Sequence, residues 1–265
     1  MGKGRQSAPT GRCPLCTELK TLCESHLLAR AFLKRMPDAV TLTTDAASKT
    51  SRQVTDYVLC QKCDQRLAKY GEEYVISQCA DLRGNRLRFP LLQRAVQRLP
   101  PLDSRSFGLF EGRVMGVPVE MLGHFALGMI WRSAIRAWPV PIRPYCTVKL
   151  EIGPWEERLR RYLLGVDPFP ADVCVWAMLA ADIDSQRSCN FPAPSFNGQN
   201  VFGLSALGIS FKVWLGDVPP AIGEYCCVNS SEGRIYISNR AHEQAKYDAS
   251  LSQSRAAARA AMSKS

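Results

Sequence analysis

Two Cys-x-x-Cys pairs, Cys13-Pro-Leu-Cys16 and Cys60-Gln-Lys-Cys63, constrain this chain more than any other feature of its sequence. A turn of that spacing brings two thiolates to one side of the backbone, and two such turns supply the four soft donors that a tetrahedral zinc ion takes at about 2.3 Å. The pairs are separated by 43 residues, so closing them on one ion ties the start of the chain into a unit. A structural Zn2+ held by Cys13, Cys16, Cys60 and Cys63 is therefore expected. Cys23 and His26 form a further Cys-x-x-His, which makes six candidate donors for a four-coordinate ion. The two Cys-x-x-Cys turns are the more economical set.

The stretch MGKGRQSAPTGR carries positive charge with no apolar segment behind it, so it does not read as a secretory signal, and a cytoplasmic location is expected. In a reducing compartment, clustered cysteines point to metal and scattered ones to small buried hydrophobes. Cys79, Cys146, Cys174, Cys189, Cys226 and Cys227 are scattered, several of them in apolar strings such as DVCVWAML, and are expected to fill cores.

With 265 residues, 46% of them hydrophobic and 22% charged, the chain has room for one or two cores, and disorder over its whole length is excluded. The most apolar run, residues 121–138, is interrupted by His124, Arg132 and Arg136, so no membrane span is expected. Apolar residues at helical spacing, Leu27 to Met36, with Ser25 as N-cap, predict a helix of about three turns. Thr- and Val-rich residues 39–59 predict a hairpin or extended loop, and the second cysteine pair opens another helix in spite of Gly71.

Further on, LLQRAVQRL reads as a basic amphipathic helix, SFGLFEGRVMGV as a hairpin, and residues 119–138 as a long central helix ended by Pro139, Pro141 and Pro144. WEERLRRYLLG is a further helix, after which DVCVWAMLAADI, VFGLSALGISFKVWLG, AIGEYCCVNS and RIYIS have the texture of strands. The Ala-rich end, residues 240–264, reads as helical. The fold class expected is α+β: a flexible basic tail over 1–12, a small zinc domain over 13–85, and a mixed helix and strand domain over 86–265. Arg132 and Arg136 on so apolar a helix need partners, with Asp182 or Asp184 as candidates, or line a site. His124 is expected to be a core histidine and His242 to be exposed.

The formal charge is +10, and most of it is concentrated early: residues 1–100 hold 17 Lys and Arg against 9 Asp and Glu, while the remaining 165 hold 17 against 15. Such a concentration favours a polyanion, and nucleic acid above all, through phosphate contacts and counterion release. Arg30, Lys34 and Arg35 on one predicted helix and Lys62, Arg66 and Lys69 on the next are placed to flank a duplex backbone; the alternative is two solvated helix faces.

The order CPLC, ESHLLARAF, VLCQKCDQRL resembles the treble-clef, zinc-stabilised branch of the HNH endonuclease superfamily over about residues 13–80. SH-LL, LC-x-x-CD and the later MIWRSAIRAW are also similar to a group of bacterial proteins with an HNH-like finger, some of them linked to phage defence. The resemblance implies metal-dependent hydrolysis of DNA phosphodiester bonds, with His26 as the general base that activates water. It implies a catalytic Mg2+ or Mn2+ as well, with Asp64 as an oxygen ligand in the position after the last cysteine, where many members have a metal-binding His.

Ser25 departs from the pattern, since an acidic or His ligand commonly precedes the catalytic His, and no Asn occurs between Met1 and Arg83 to orient it. The alternative is a zinc-stabilised nucleic-acid-binding or adaptor protein, with His26 beside the zinc, capping a helix or touching phosphate. In the nuclease reading the C-terminal α+β region is expected to bind substrate, a signal or a partner protein, and a protein partner or a second copy of the chain is expected to dock through that region.

Overall fold

The computed structural model describes residues 8–35, 40–42, 47–49, 53–81, 88–97, 108–140, 146–180, 183–186, 188–195 and 200–238. The chain begins with β1 (Thr10–Arg12), β2 (Leu19–His26), α1 (Arg30–Lys34), β3 (Val40–Leu42), β4 (Ala47–Lys49) and β5 (Thr55–Cys60). It continues as α2 (Gln61–Leu67), a π-helical turn (Ala68–Glu72), α3 (Glu73–Gln78), α4 (Pro90–Val96), β6 (Gly108–Glu111) and α5 (Val119–Ala134). After β7 (Trp138–Val140), β8 (Cys146–Val148) and α6 (Trp155–Leu164) come β9 (Val173–Ala180), α7 (Ile183–Gln186), β10 (Cys189–Pro194), β11 (Val201–Ala206), β12 (Ile209–Leu215), α8 (Pro220–Gly223) and β13 (Arg234–Ser238). The fold is mixed α+β, and among the described residues no helix is long and apolar enough to cross a membrane.

Two sheets organise it. A small antiparallel sheet has the order β1-β2-β5, and a six-stranded sheet the order β10-β11-β12-β9-β13-β6, with β13 and β9 its parallel pair. Period-two alternation gives the large sheet two unlike faces. Val175, Ala177 and Leu179 of β9 are buried on one, together with their β12 partners Val213, Phe211 and Ile209. α5 packs on that face: Phe125 lies 5.5 Å from the Phe211 ring and, on its other side, 5.7 Å from Phe32 of α1. Nearly every residue of α5 is buried, because the π-turn, α6, α3 and α2 pack on it in addition to the sheet. One continuous apolar cluster therefore runs from Cys13 to Ile237.

Gly71 makes the closest of these contacts. A Cβ there would lie 2.7 Å from the backbone nitrogen of Phe125, so only a residue without a side chain lets the π-turn meet α5. This is why a glycine interrupts an otherwise helical pattern.

Several local expectations need correction. Ser25 caps no helix: β2 runs through His26, and the expected three-turn helix is reduced to the five residues of α1. Backbone pairing with β5, Ser25 opposite Asp56 and His26 opposite Thr55, outweighs the helical spacing of Leu27, Leu28 and Phe32, which are buried in any case. Thr10–Arg12, in the stretch expected as a tail, pairs with β2; residues 1–7 lie outside the described residues. The central helix stops at Ala134, where the indole of the fully buried Trp138 donates to the Arg132 carbonyl at 2.7 Å and the chain turns into β7.

SFGLFEGRVMGV forms no hairpin: β6 pairs with the distant β13 and a turn leads into α5. AIGEYCCVNS is α8 and turns, not a strand. Arg132 pairs with Glu72 and Arg136 with Asp56; Asp182 and the side chain of Asp184, the partners considered for them, lie outside the described residues. Cys79, Cys174, Cys226 and Cys227 are buried fillers as expected, and His124 is a buried core residue. His242 and the Ala-rich end lie outside the described residues.

Candidate metal centre

The first cysteine pair sits in the connection between β1 and β2. That connection is closed by backbone bonds from Thr17 N–H to the Cys13 carbonyl (2.7 Å) and from Cys13 N–H to the Glu18 carbonyl (2.9 Å), with Thr17 in the left-handed region. The second pair is delivered by β5, whose last residue, Cys60, is the N-cap of α2, so that Cys63 falls in the first helical turn. Because β2 bonds to both β1 and β5, the two turns are held side by side.

The four sulfurs consequently lie within 4.8 Å of one another, with Cys16 Sγ and Cys60 Sγ 3.9 Å apart. A tetrahedral ion with bonds of about 2.3 Å has ligand-to-ligand edges of about 3.8 Å, so the cluster could hold one metal ion with little rearrangement. Cys13, Cys60 and Cys63 are buried and Cys16 half-buried.

The surroundings suit thiolates. Burial by itself raises the Cys13 thiol, but backbone N–H groups, foremost that of Cys60 at 3.4 Å from Cys13 Sγ, outweigh it and hold this thiol below its ordinary range. Cys63, buried without such donors and crowded by the other sulfurs, is pushed far up, so the four cannot all ionise without a cation among them. Cys23 is raised by burial and by the Asp64 carboxylate, which keeps it a thiol, and it stands outside the cluster. Among the described residues no other group of three His, Cys, Asp or Glu side chains converges in this way; neither His26 nor Asp64 belongs to one.

His26 ends β2, half-buried, and its carbonyl oxygen accepts a 2.8 Å hydrogen bond from Arg132 Nη1. The same Nη1 lies 2.6 Å from Glu72 Oε1 of the π-turn, with the Arg132 side chain 3% exposed. Ser25 is fully buried and accepts the N–H of Leu59 at 3.2 Å, so its hydroxyl completes the packing of β2 on β5.

The basic residues divide into two groups. Arg30, Lys34, Lys62 and Lys69 are exposed. Arg35 turns inward to Asp81 (3.6 Å). Arg66 donates through Nε to the Leu163 carbonyl at 2.8 Å and stacks on Tyr70, occupying the space beside Gly165, the left-handed C-cap of α6. It is thus committed to the last turn of α6, where a cation is favoured by the helix dipole.

Two further residues support the centre. Arg160 of α6 donates to the Leu15 carbonyl inside the first cysteine turn at 2.7 Å while pairing with Glu157, and Glu72 anchors Arg132. Arg132 carried a signal in the sequence, a charge on an apolar helix; Arg160 and Glu72 carried none. Compared with family models, curated proteins and solved structures, the chain matches none of them.

Proposed function

We propose that the cysteine cluster is a zinc centre of treble-clef type and that the chain is an HNH-like, metal-dependent endonuclease acting on the phosphodiester bonds of DNA. The observation that carries the reading is the convergence of the four cysteine sulfurs within 4.8 Å, between a β-hairpin turn and a helix start, with His26 on the strand that joins them. Four thiolates select zinc among the common ions by their softness and geometry. The zinc centre supplies cross-links and no chemistry: it holds β2 against α2 and so sets where His26 stands.

In this reading His26 takes the proton from the attacking water, and the exposed Arg30, Lys34, Lys62 and Lys69 bind backbone phosphates. A divalent Mg2+ or Mn2+, when bound, supplies stabilisation of charge on the reacting phosphate. Asp64 is the carboxylate offered to it. The similarity to finger proteins linked with phage defence makes foreign DNA the natural substrate.

One observation favours a second reading, a finger that binds nucleic acid without cutting it. Ser25, where a metal ligand commonly precedes the catalytic His, is buried and bonded to Leu59 N–H, and no second convergence of three donors accompanies Asp64 among the described residues.

Incubation with plasmid and single-stranded substrates in Mg2+ or Mn2+, beside the His26→Ala variant, separates the two. Cleavage lost in the variant supports the nuclease. Cleavage unchanged in it removes His26 from the mechanism. A salt-sensitive mobility shift with no cleavage by either protein establishes the binding reading.

A further inference from the structure

Two of the buried cysteines have a setting that packing alone does not call for. Cys174 lies on β9 and Cys226 on the turn that follows α8, each 1% exposed. The turn is docked on the strand by the Cys227 N–H, which donates to the Val175 carbonyl at 2.8 Å. The Cys226 sulfur is thereby set against the start of β9, where it accepts the N–H of Val175, the residue next to Cys174, at 3.4 Å. The N–H of Asn229 reaches the same sulfur, also at 3.4 Å. The Cys174 thiol donates to the Ile222 carbonyl at 3.7 Å, and it interacts directly with Cys226, each being the strongest influence on the other.

This geometry makes the two sulfurs unlike. The Cys174 thiol, together with the backbone N–H groups of Asn229 and Val175, outweighs burial at Cys226 and holds that thiol down at about 6. Cys174 is pushed far up by the same neighbour and by burial, so it keeps its proton. Cys227 is pushed well up by burial and stays a thiol. Cys79, no less buried, is raised by burial to about 11. Only a thiolate is an effective nucleophile, so Cys226 stands apart from the other cysteines that fill the core.

We propose that Cys226 and Cys174 form a peroxide-reactive dithiol, in which Cys226 is the attacking sulfur and Cys174 the resolving one. The Cys226 thiolate attacks one oxygen of hydrogen peroxide; an S–O bond forms and the O–O bond breaks. The departing hydroxide takes up a solvent proton, matching the one Cys226 had released, and a sulfenic acid remains. The Cys174 sulfur then attacks the Cys226 sulfur, an S–S bond replaces the S–O bond, and the Cys174 proton leaves with the hydroxyl as a second water. The two sulfurs give up two electrons in all, and the peroxide takes them. Access runs through a thin cover: α8 is a single turn of four residues, and Pro219, Pro220, Ala221, Glu224 and Asn229 around it are exposed. A small local opening there admits a molecule scarcely larger than water. The pair belongs to the large sheet and not to the small one that carries the cysteine centre, and it does not rest on the nuclease reading.

The test treats the reduced full chain with hydrogen peroxide, quenches with acid, alkylates the remaining thiols and maps the digested, unreduced peptides by mass spectrometry over time. The expected result is a cross-link between Cys174 and Cys226, with Cys226 consumed about tenfold or more faster than the equally buried Cys79. Cys226→Ser should abolish the cross-link and Cys227→Ser should leave it in place. Cys174→Ser should stop the reaction at the sulfenic acid, trapped on Cys226 by dimedone. Circular dichroism checks that each variant is folded, and the time course of the wild type needs no substitution at all.

Equal rates at Cys226 and Cys79 in the wild type, or a bond between Cys226 and Cys227 in place of the cross-link, overturns the proposal. A cross-link that appears only after Cys13, Cys16, Cys60 and Cys63 have been oxidised assigns it to unfolding of the chain and overturns it too.

Discussion

Arg132 Nη1 donates to the carbonyl oxygen of His26 across 2.8 Å, joining residues 106 positions apart in the chain. The same nitrogen pairs with Glu72, so one buried guanidinium fastens the end of β2, the π-turn and the central helix to each other. A buried charge pair is costly to form, but breaking it from one side strands the other charge. Arg132→Met should therefore cost about 3–5 kcal/mol, measured by urea unfolding, whereas Arg132→Met combined with Glu72→Leu should recover a large part of that loss. Additive losses in the double variant would show that the two side chains act separately.

Removal of the metal is the next expectation. Because the four sulfurs lie on two turns 43 residues apart in sequence, an ion among them does the work of a cross-link between distant parts of the chain. Elemental analysis should find one zinc per chain, and Cys13→Ala or Cys63→Ala should abolish it. A strong chelator should lower the unfolding temperature of the wild type and leave that of the variants unchanged. Chelator-insensitive unfolding of a zinc-free wild type would remove the centre from the fold.

Ser25 is a place where packing and chemistry give opposite expectations. If it stood in for a missing metal ligand, Ser25→Asp would create or improve a site. The hydroxyl is fully buried and accepts the Leu59 N–H, so Ser25→Ala should cost about 1–3 kcal/mol through the orphaned amide, and Ser25→Asp should cost more by burying a carboxylate. Higher metal-dependent cleavage by a stable Ser25→Asp protein would contradict this.

Gly71 gives a prediction whose sign is decided by a single contact. In an exposed helix, Gly→Ala stabilises by about 1 kcal/mol. Here the added methyl would sit 2.7 Å from Phe125 N, a backbone atom that cannot swing aside, so Gly71→Ala should destabilise by about 1–3 kcal/mol or more. A rise in unfolding temperature would mean that α5 can move away from the π-turn at no cost.

What the sequence disclosed follows the range of each signal. Cys-x-x-Cys spacing is local, and the convergence of Cys13, Cys16, Cys60 and Cys63 into a cluster that could hold a metal ion was legible in it. So were α2 at the second pair and α6 over WEERLRRYLL, whose apolar stripes are self-contained. The end of β2 was misread because Leu27, Leu28 and Phe32 have helical spacing, while the pairing of residues 22–26 with β5 depends on a strand some thirty residues away. Glu72, in the run Gly-Glu-Glu, looked like any solvated acid until α5 brought Arg132 to it. The two-sidedness of the large sheet was equally hidden: Trp176 and Trp214 belong to apolar strings, and only register shows that they lie on the face opposite Val175, Ala177 and Leu179.

Acid should weaken the fold through His124. Its ring lies between Tyr70 and Tyr162, at 5.8 and 5.7 Å, and the residue is 7% exposed. Burial, with the positive charges of Arg66 and Arg132 acting in the same direction, lowers its pKa from 6.5 to about 4. The folded state therefore keeps this histidine neutral where the unfolded chain has begun to protonate. Between about pH 6.5 and 4 the unfolded state binds the extra proton, so stability falls as the pH is lowered through that window, by a total of about 3 kcal/mol for this group. Urea unfolding across the window should show the decline, and His124→Phe, which keeps an aromatic ring between the two tyrosines, should flatten it. An acid limb of unchanged steepness in the variant would transfer the effect to other groups.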